Sequence, residues 1–138
     1  MVFIKDEGSV FKAPLSKVWE LNASEGKHNH PSLKDTKVEP VSENTMILSY
    51  GVDMGGSTTR VRTKVTAIPP LGTLFETLDG PMAGSKSFQY YTPRGNETAV
   101  TVVGEWKAPG MTDDQLRQAV IGFLQTVFDE DQANLREL

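Results

Sequence analysis

The 138-residue chain has no cysteine. That excludes a disulfide, a thiolate nucleophile and any thiolate-ligated metal. Histidine is nearly as scarce, with two residues. Fourteen basic residues are scattered among eighteen acidic ones, for a net charge of −4. No Lys/Arg run could track a phosphate backbone, so nucleic acid is not expected as a partner. No apolar run approaches the ~20 residues that cross a bilayer, so no integral membrane segment is expected. The start Met1-Val2-Phe3-Ile4-Lys5-Asp6-Glu7 lacks the charged-then-apolar order of a signal peptide, and the cytoplasm is the expected location. The sequons Asn22-Ala23-Ser24 and Asn96-Glu97-Thr98 are then chance matches. No Ser-His-Asp order, phosphate loop or carboxylate pair stands out, and no cofactor is expected. The sequence carries no signal for an oligomeric state.

What is present suits one folded domain, 1–138, with 38% hydrophobic residues for its core. Val2 to Lys12 is apolar at both ends and polar in the middle, which predicts a strand with a bulge near Gly8. Pro14 suits a first helical position. Leu15, Val18, Trp19 and Asn22 follow at spacings of three and four, predicting a short amphipathic helix that frays at Ser24-Glu25 and stops at Gly26. From Thr36 to Trp106 the chain reads as strand and turn in repetition. Thr36 to Val41 contains Pro40, which suits an edge strand. Met46, Leu48, Tyr50, Val52 and Met54 alternate with polar residues. Gly55-Gly56 marks a tight turn. Thr59, Val61, Thr63, Val65 and Ala67 then alternate with Arg60, Arg62 and Lys64, a clear period-two signal with one wet face. Leu74, Phe75 and Leu78 mark the next strand. Ser85 to Thr92 follows, with Phe88 and Tyr90 on one face and Tyr91 on the other. Thr98, Val100, Val102, Gly104 and Trp106 form one face of the last strand.

The final segment predicts a long helix to about Arg136. Thr112 and Gln115 have the spacing of a capping box, and Asp113 and Asp114 complement the helix dipole. Leu116, Ala119, Val120, Phe123, Leu124, Val127, Phe128 and Leu135 give it a broad apolar face. Gly122 is a local weakness of the helix, and it could let the sheet or a ligand approach closely.

Tight turns pair the strands antiparallel in sequence order. The fold class is therefore α+β: a curved antiparallel sheet of six or seven strands around the long C-terminal helix, with a short helix after strand one. Three stretches carry a resemblance. They are Phe11-Lys12-Ala13-Pro14-Leu15-Ser16-Lys17-Val18-Trp19, Leu78-Asp79-Gly80-Pro81-Met82-Ala83-Gly84, and Phe88 through Thr98 with its Pro93-Arg94-Gly95-Asn96 turn. Together they resemble the START/polyketide-cyclase-like superfamily (SRPBCC), whose archetype is the birch-pollen allergen. The resemblance implies a helix-grip fold with a cavity between sheet and helix. Many members carry a tryptophan after the first helix; His28 and His30 occupy that region here.

In such a fold, core and cavity lining are one surface. Candidate ligand-binding residues are Trp19, His28 and His30 near the cavity mouth, then Leu48, Tyr50, Val61 and Thr63 on the central strands. Glu76, Phe88, Tyr90 and Val102 follow on later strands, and Leu116, Val120, Phe123 and Leu124 on the helix. The tyrosine hydroxyls could orient a polar end of a ligand. Met46, Met54, Met82 and Met111 offer an adaptable lining. Glu76 is a weak catalytic candidate, a buried carboxylate if it shares an inward face with Leu74 and Leu78. If Phe75 faces inward instead, Glu76 is solvated. His28 and His30 would share a face of a strand, but the only third ligand nearby in sequence is Asp35, so no metal site is assigned. Both histidines read first as polar loop residues.

Three functions follow, in order of preference. The first is binding or carriage of a small hydrophobic molecule, lipid, isoprenoid or polyketide-like. The second is a cyclase- or dehydratase-type enzyme using a cavity carboxylate or tyrosine. The third is a protein-interaction module with a vestigial cavity.

Overall fold

The structure is a computed structural model that describes residues 1–24, 28–54 and 56–138. The expected Glu25-Gly26 helix end, the Gly55 half of the Gly55-Gly56 turn and the Met54 side chain lie outside the described residues. In chain order the elements are β1 (Val2–Phe11), α1 (Leu15–Ala23), β2 (Lys34–Ser42), β3 (Thr45–Met54), β4 (Ser57–Ile68), β5 (Gly72–Asp79), β6 (Lys86–Arg94), β7 (Glu97–Trp106) and α2 (Asp113–Arg136). The strands form one antiparallel sheet in the order β1-β7-β6-β5-β4-β3-β2. This is the helix-grip α+β architecture.

Local chemistry explains the element ends. The β1 register slips between Asp6 and Ser9, and Gly8 sits there at φ 101°. A residue with a Cβ adopts that angle reluctantly, so the bulge and the glycine go together. Pro14 is the N-cap of α1 rather than its first helical residue, and its carbonyl accepts from Lys17 N at 2.9 Å. The α2 capping box is complete. Gln115 N donates to Thr112 Oγ1 at 3.2 Å, and Thr112 N donates to Gln115 Oε1 at 2.9 Å.

The core is one-sided. Its buried cluster draws on Val2, Ile4 and Phe11 of β1, Tyr91 of β6, and Val100, Val102 and Trp106 of β7. Above them lie Val18 and Leu21 of α1 and Leu116, Val120 and Leu135 of α2. Each buried aliphatic or aromatic side chain contributes roughly 1.5–3 kcal/mol. No residue of β2 to β5 belongs to this cluster among the described residues. The long helix thus packs over the β1–β7–β6 half of the sheet, and the inner face of β3, β4 and β5 is left without a close helical cover.

Register decides which side chains face inward. Tyr91 pairs with Val100, Gln89 with Val102 and Ser87 with Gly104. Directly opposed residues point to the same face. Since Val100 and Val102 are core, Gln89 and Tyr91 face the helix, while Phe88 and Tyr90 face outward. The expectation that Phe88 and Tyr90 line the interior is therefore corrected. Tyr90 is 45% exposed and packs on Phe88, centroids 4.4 Å apart. The same register runs into β5, where Thr73 opposes Gln89 and Phe75 opposes Ser87. Phe75 faces inward. Leu74, Glu76 and Leu78 face out, and Glu76 lies 3.8 Å from Lys86 as a surface ion pair.

Candidate functional site

The uncovered half of the sheet borders an open cavity of about 680 Å³. Tyr50 and Val52 of β3, Val61 of β4 and Thr77 of β5 form its sheet wall. Trp106 and Met82 complete the lining. Ala119, Val120, Gly122, Phe123 and Thr126 of α2 form the helix wall. Polar groups gather at the rim: Ser32, Lys34 and Asp53. Lys34 Nζ lies 3.0 Å from Asp53 Oδ2, and this hydrogen bond, with help from Thr58, holds the Asp53 carboxyl below its ordinary range. On the sheet wall the Tyr50 hydroxyl lies 3.0 Å from Thr63 Oγ1. Burial pushes the Tyr50 phenol up, so it stays a neutral donor and acceptor at neutral pH.

The predicted site residues separate into groups. Tyr50, Val61, Val120 and Phe123 meet around the cavity. Thr63 stands behind Tyr50, and Leu48 opposes Thr63 on the same inner face. Val102 and Leu124 line a separate small pocket of about 30 Å³ with Phe11, Gln89, Phe128 and Asp131. Leu116 is 1% exposed and belongs to the core. Trp19 packs edge-on against Tyr91, centroids 5.4 Å apart, and its buried indole N–H has no partner among the described residues. Glu76, Phe88 and Tyr90 are on the other side of the sheet.

His28 and His30 are loop residues, as expected, but they are not free of the helix. Both point at the last third of α2. His28 Nε2 donates to Asp131 Oδ1 at 2.6 Å. His30 Nε2 lies 3.0 Å from the same oxygen and 3.0 Å from His28 Nε2. His30 Nδ1 donates to Glu130 Oε1 at 2.8 Å. Glu130 is itself fixed by the backbone N–H and the hydroxyl of Ser32, each at 2.9 Å. Asn134 Nδ2 donates to the Asn29 carbonyl at 2.7 Å and ties the same segment down. The third group beside the histidines is therefore Asp131, about a hundred residues along the chain, and not Asp35. Burial works against the imidazolium of His30, but hydrogen bonds and charge from Asp131 and Glu130 outweigh it, and its pKa is raised. Burial likewise disfavours the Asp131 carboxylate, yet the two histidines more than compensate and hold it low. A signal for Asp131 exists in the sequence. It falls three residues after Phe128 and four before Leu135, a carboxylate set on the apolar face of α2.

No family model and no curated protein sequence matches this chain. Solved structures do. The Thermus thermophilus protein TTHA0849 superposes with a TM-score of 0.80 at 12% identity, covering 99% of this chain and 98% of that one. A START superfamily protein from Mycobacterium smegmatis gives 0.78 at 12% identity over 98% and 97% of the two chains. The Streptomyces aromatase/cyclase Zhui gives 0.71 at 12% identity over 95% and 94%. At such identity the likeness establishes architecture. The chain has the helix-grip fold of START-like proteins, in agreement with the resemblance read from its sequence. No helix among the described residues is long and apolar enough to cross a membrane.

Proposed function

We propose that the protein binds a small, largely apolar molecule in the cavity between the inner face of β3–β5 and α2. The observation that carries this reading is the cavity itself. Its volume of about 680 Å³ lies within the roughly 300–1,000 Å³ range of small-molecule sites. Its walls are largely apolar, with Tyr50, Thr77 and Thr126 as hydroxyl-bearing members and the charged Lys34 and Asp53 at the rim. This pattern fits an amphiphile whose apolar body lies against Val61, Trp106 and Phe123 and whose polar end reaches the rim. Fatty acids, isoprenoids and polycyclic polyketide-like compounds share that chemistry.

Trp106 provides the assay. It lines the cavity, whereas the other tryptophan, Trp19, lies in the α1 core. Titration with a panel of medium-chain fatty acids, isoprenoid alcohols and aromatic polyketides is expected to give a saturable change in tryptophan emission for at least one class. The change is expected to vanish in Trp106→Phe. If no class moves the emission of the folded protein, the proposal fails.

A further inference from the structure

We propose that His28, His30 and Asp131 form a binding site for one divalent first-row transition-metal ion, with positions left open for water. Three potential ligand atoms converge there. His28 Nε2, His30 Nε2 and Asp131 Oδ1 stand 2.6, 3.0 and 3.0 Å apart. Around an ion with ligands at ~2.1 Å, neighbouring ligand atoms lie about 3.0 Å apart in octahedral and about 3.4 Å apart in tetrahedral geometry. The triangle needs only a small expansion to accept such an ion.

The hydrogen-bond inventory points the same way. Glu130 accepts from His30 Nδ1, which leaves His30 Nε2 with its lone pair facing the triangle in the neutral ring. Asp131 offers oxygen lone pairs to the same spot. With both rings neutral, a single N–H, that of His28, would have to serve both neighbours. One carboxylate oxygen can accept from both rings, but that leaves the two ring nitrogens facing each other at 3.0 Å. Two imidazole nitrogens aimed at one oxygen and at each other are better satisfied by a cation.

The supporting groups are those a metal site uses. A ligating histidine usually gives its other N–H to a carboxylate, which fixes the tautomer and the ring. Glu130 does this for His30, and Ser32 holds Glu130 with two hydrogen bonds. The side chains are sheltered, with exposures of 28% for His28, 14% for His30 and 13% for Asp131. Asp131 also borders the pocket of about 30 Å³ beside Gln89 and Ser9, which has room for one water. Two imidazoles and one carboxylate, without cysteine, select zinc, cobalt, nickel or ferrous iron over calcium or magnesium. This inference does not depend on the apolar cavity being a ligand site, because the two involve different walls and different assays.

Chelator-stripped full-length protein is titrated with Co²⁺ while its visible d–d absorption is followed, then with Zn²⁺ as competitor. One equivalent of Co²⁺ is expected to give a band that Zn²⁺ abolishes. Asp131→Asn and His28→Gln are expected to lose the band while circular dichroism shows a folded chain. Glu130→Gln, one shell out, is expected to weaken Zn²⁺ about 10–100-fold. Two results would overturn the site. One is folded wild-type protein that gives no band and takes up no zinc by elemental analysis. The other is binding that survives unchanged in both His28→Gln and Asp131→Asn. A thermal-stability loss in these variants, without metal uptake by the wild type, would identify the cluster as a clamp of residues 28–32 on α2. That outcome also rejects the metal site.

Discussion

Gly122→Leu is expected to lower ligand affinity at least tenfold, or about 1.4 kcal/mol, while leaving the protein folded. Gly122 stands on the cavity wall of α2. A Cβ built there meets nothing within 4 Å, because the space in front of it is the cavity. A leucine side chain would occupy volume that the ligand needs. The change also replaces the weakest ordinary helix former with a strong one, worth roughly 0.8–1 kcal/mol in favour of α2. Loss of binding therefore arrives with equal or higher thermal stability, which separates it from unfolding. Displacement of a fluorescent apolar probe, together with a melting curve, reads both quantities. Wild-type affinity in Gly122→Leu would place the ligand elsewhere.

Phe11→Ala is expected to destabilise the fold by about 3–5 kcal/mol. Phe11 ends β1, is 2% exposed, and stacks on Phe128 of α2 with centroids 4.7 Å apart and planes 7° from parallel. It joins the edge strand to the helix across the core. It also borders the small pocket, so truncation would enlarge an existing void rather than let neighbours collapse. Against a total of about 5–15 kcal/mol, this is a large share. A fall in melting temperature of about 10 °C or more is expected. Tyr90→Ala is the control, because Tyr90 lies on the outer face. Its cost should stay near or below about 1 kcal/mol. Equal losses in the two variants would contradict the register of β6.

That register marks where reading from sequence ran out. β7 alternates without ambiguity, and Thr98, Val100, Val102, Gly104 and Trp106 face inward as the pattern implies. β3 and β4 follow the same logic, and Tyr50 and Val61 meet across the sheet as expected. β6 carries aromatic residues on both faces, Phe88 and Tyr90 against Tyr91. Periodicity cannot choose between them; pairing with β7 does. Once β6 is set, β5 follows, and of the two orientations open to Glu76 the solvated one holds, in a surface pair with Lys86. The cavity was legible only as a consequence of the fold. The broad apolar face of α2 does not say which half of the sheet it covers. In the structure Leu116 and Val120 enter the core, while Ala119 and Phe123 turn to the void. The histidine cluster escaped for a different reason. Its partners are separated by about a hundred residues, and the visible clue was Asp131 on an apolar helix face.

The histidine segment and the cavity touch through Ser32. Its side chain anchors Glu130, and its residue lines the cavity rim. Residues 28–32 therefore connect the end of α2 to the mouth of the proposed ligand site.

The most direct test of the central claim is native mass spectrometry of gently purified protein, before and after denaturation. Binding in the β3–β5 cavity predicts a discrete additional mass of a small apolar molecule that leaves on denaturation, or stoichiometric uptake of one from a lipid and isoprenoid panel. A bare chain that takes up no member of the panel would contradict it and would shift the role of this fold to contact with a partner protein.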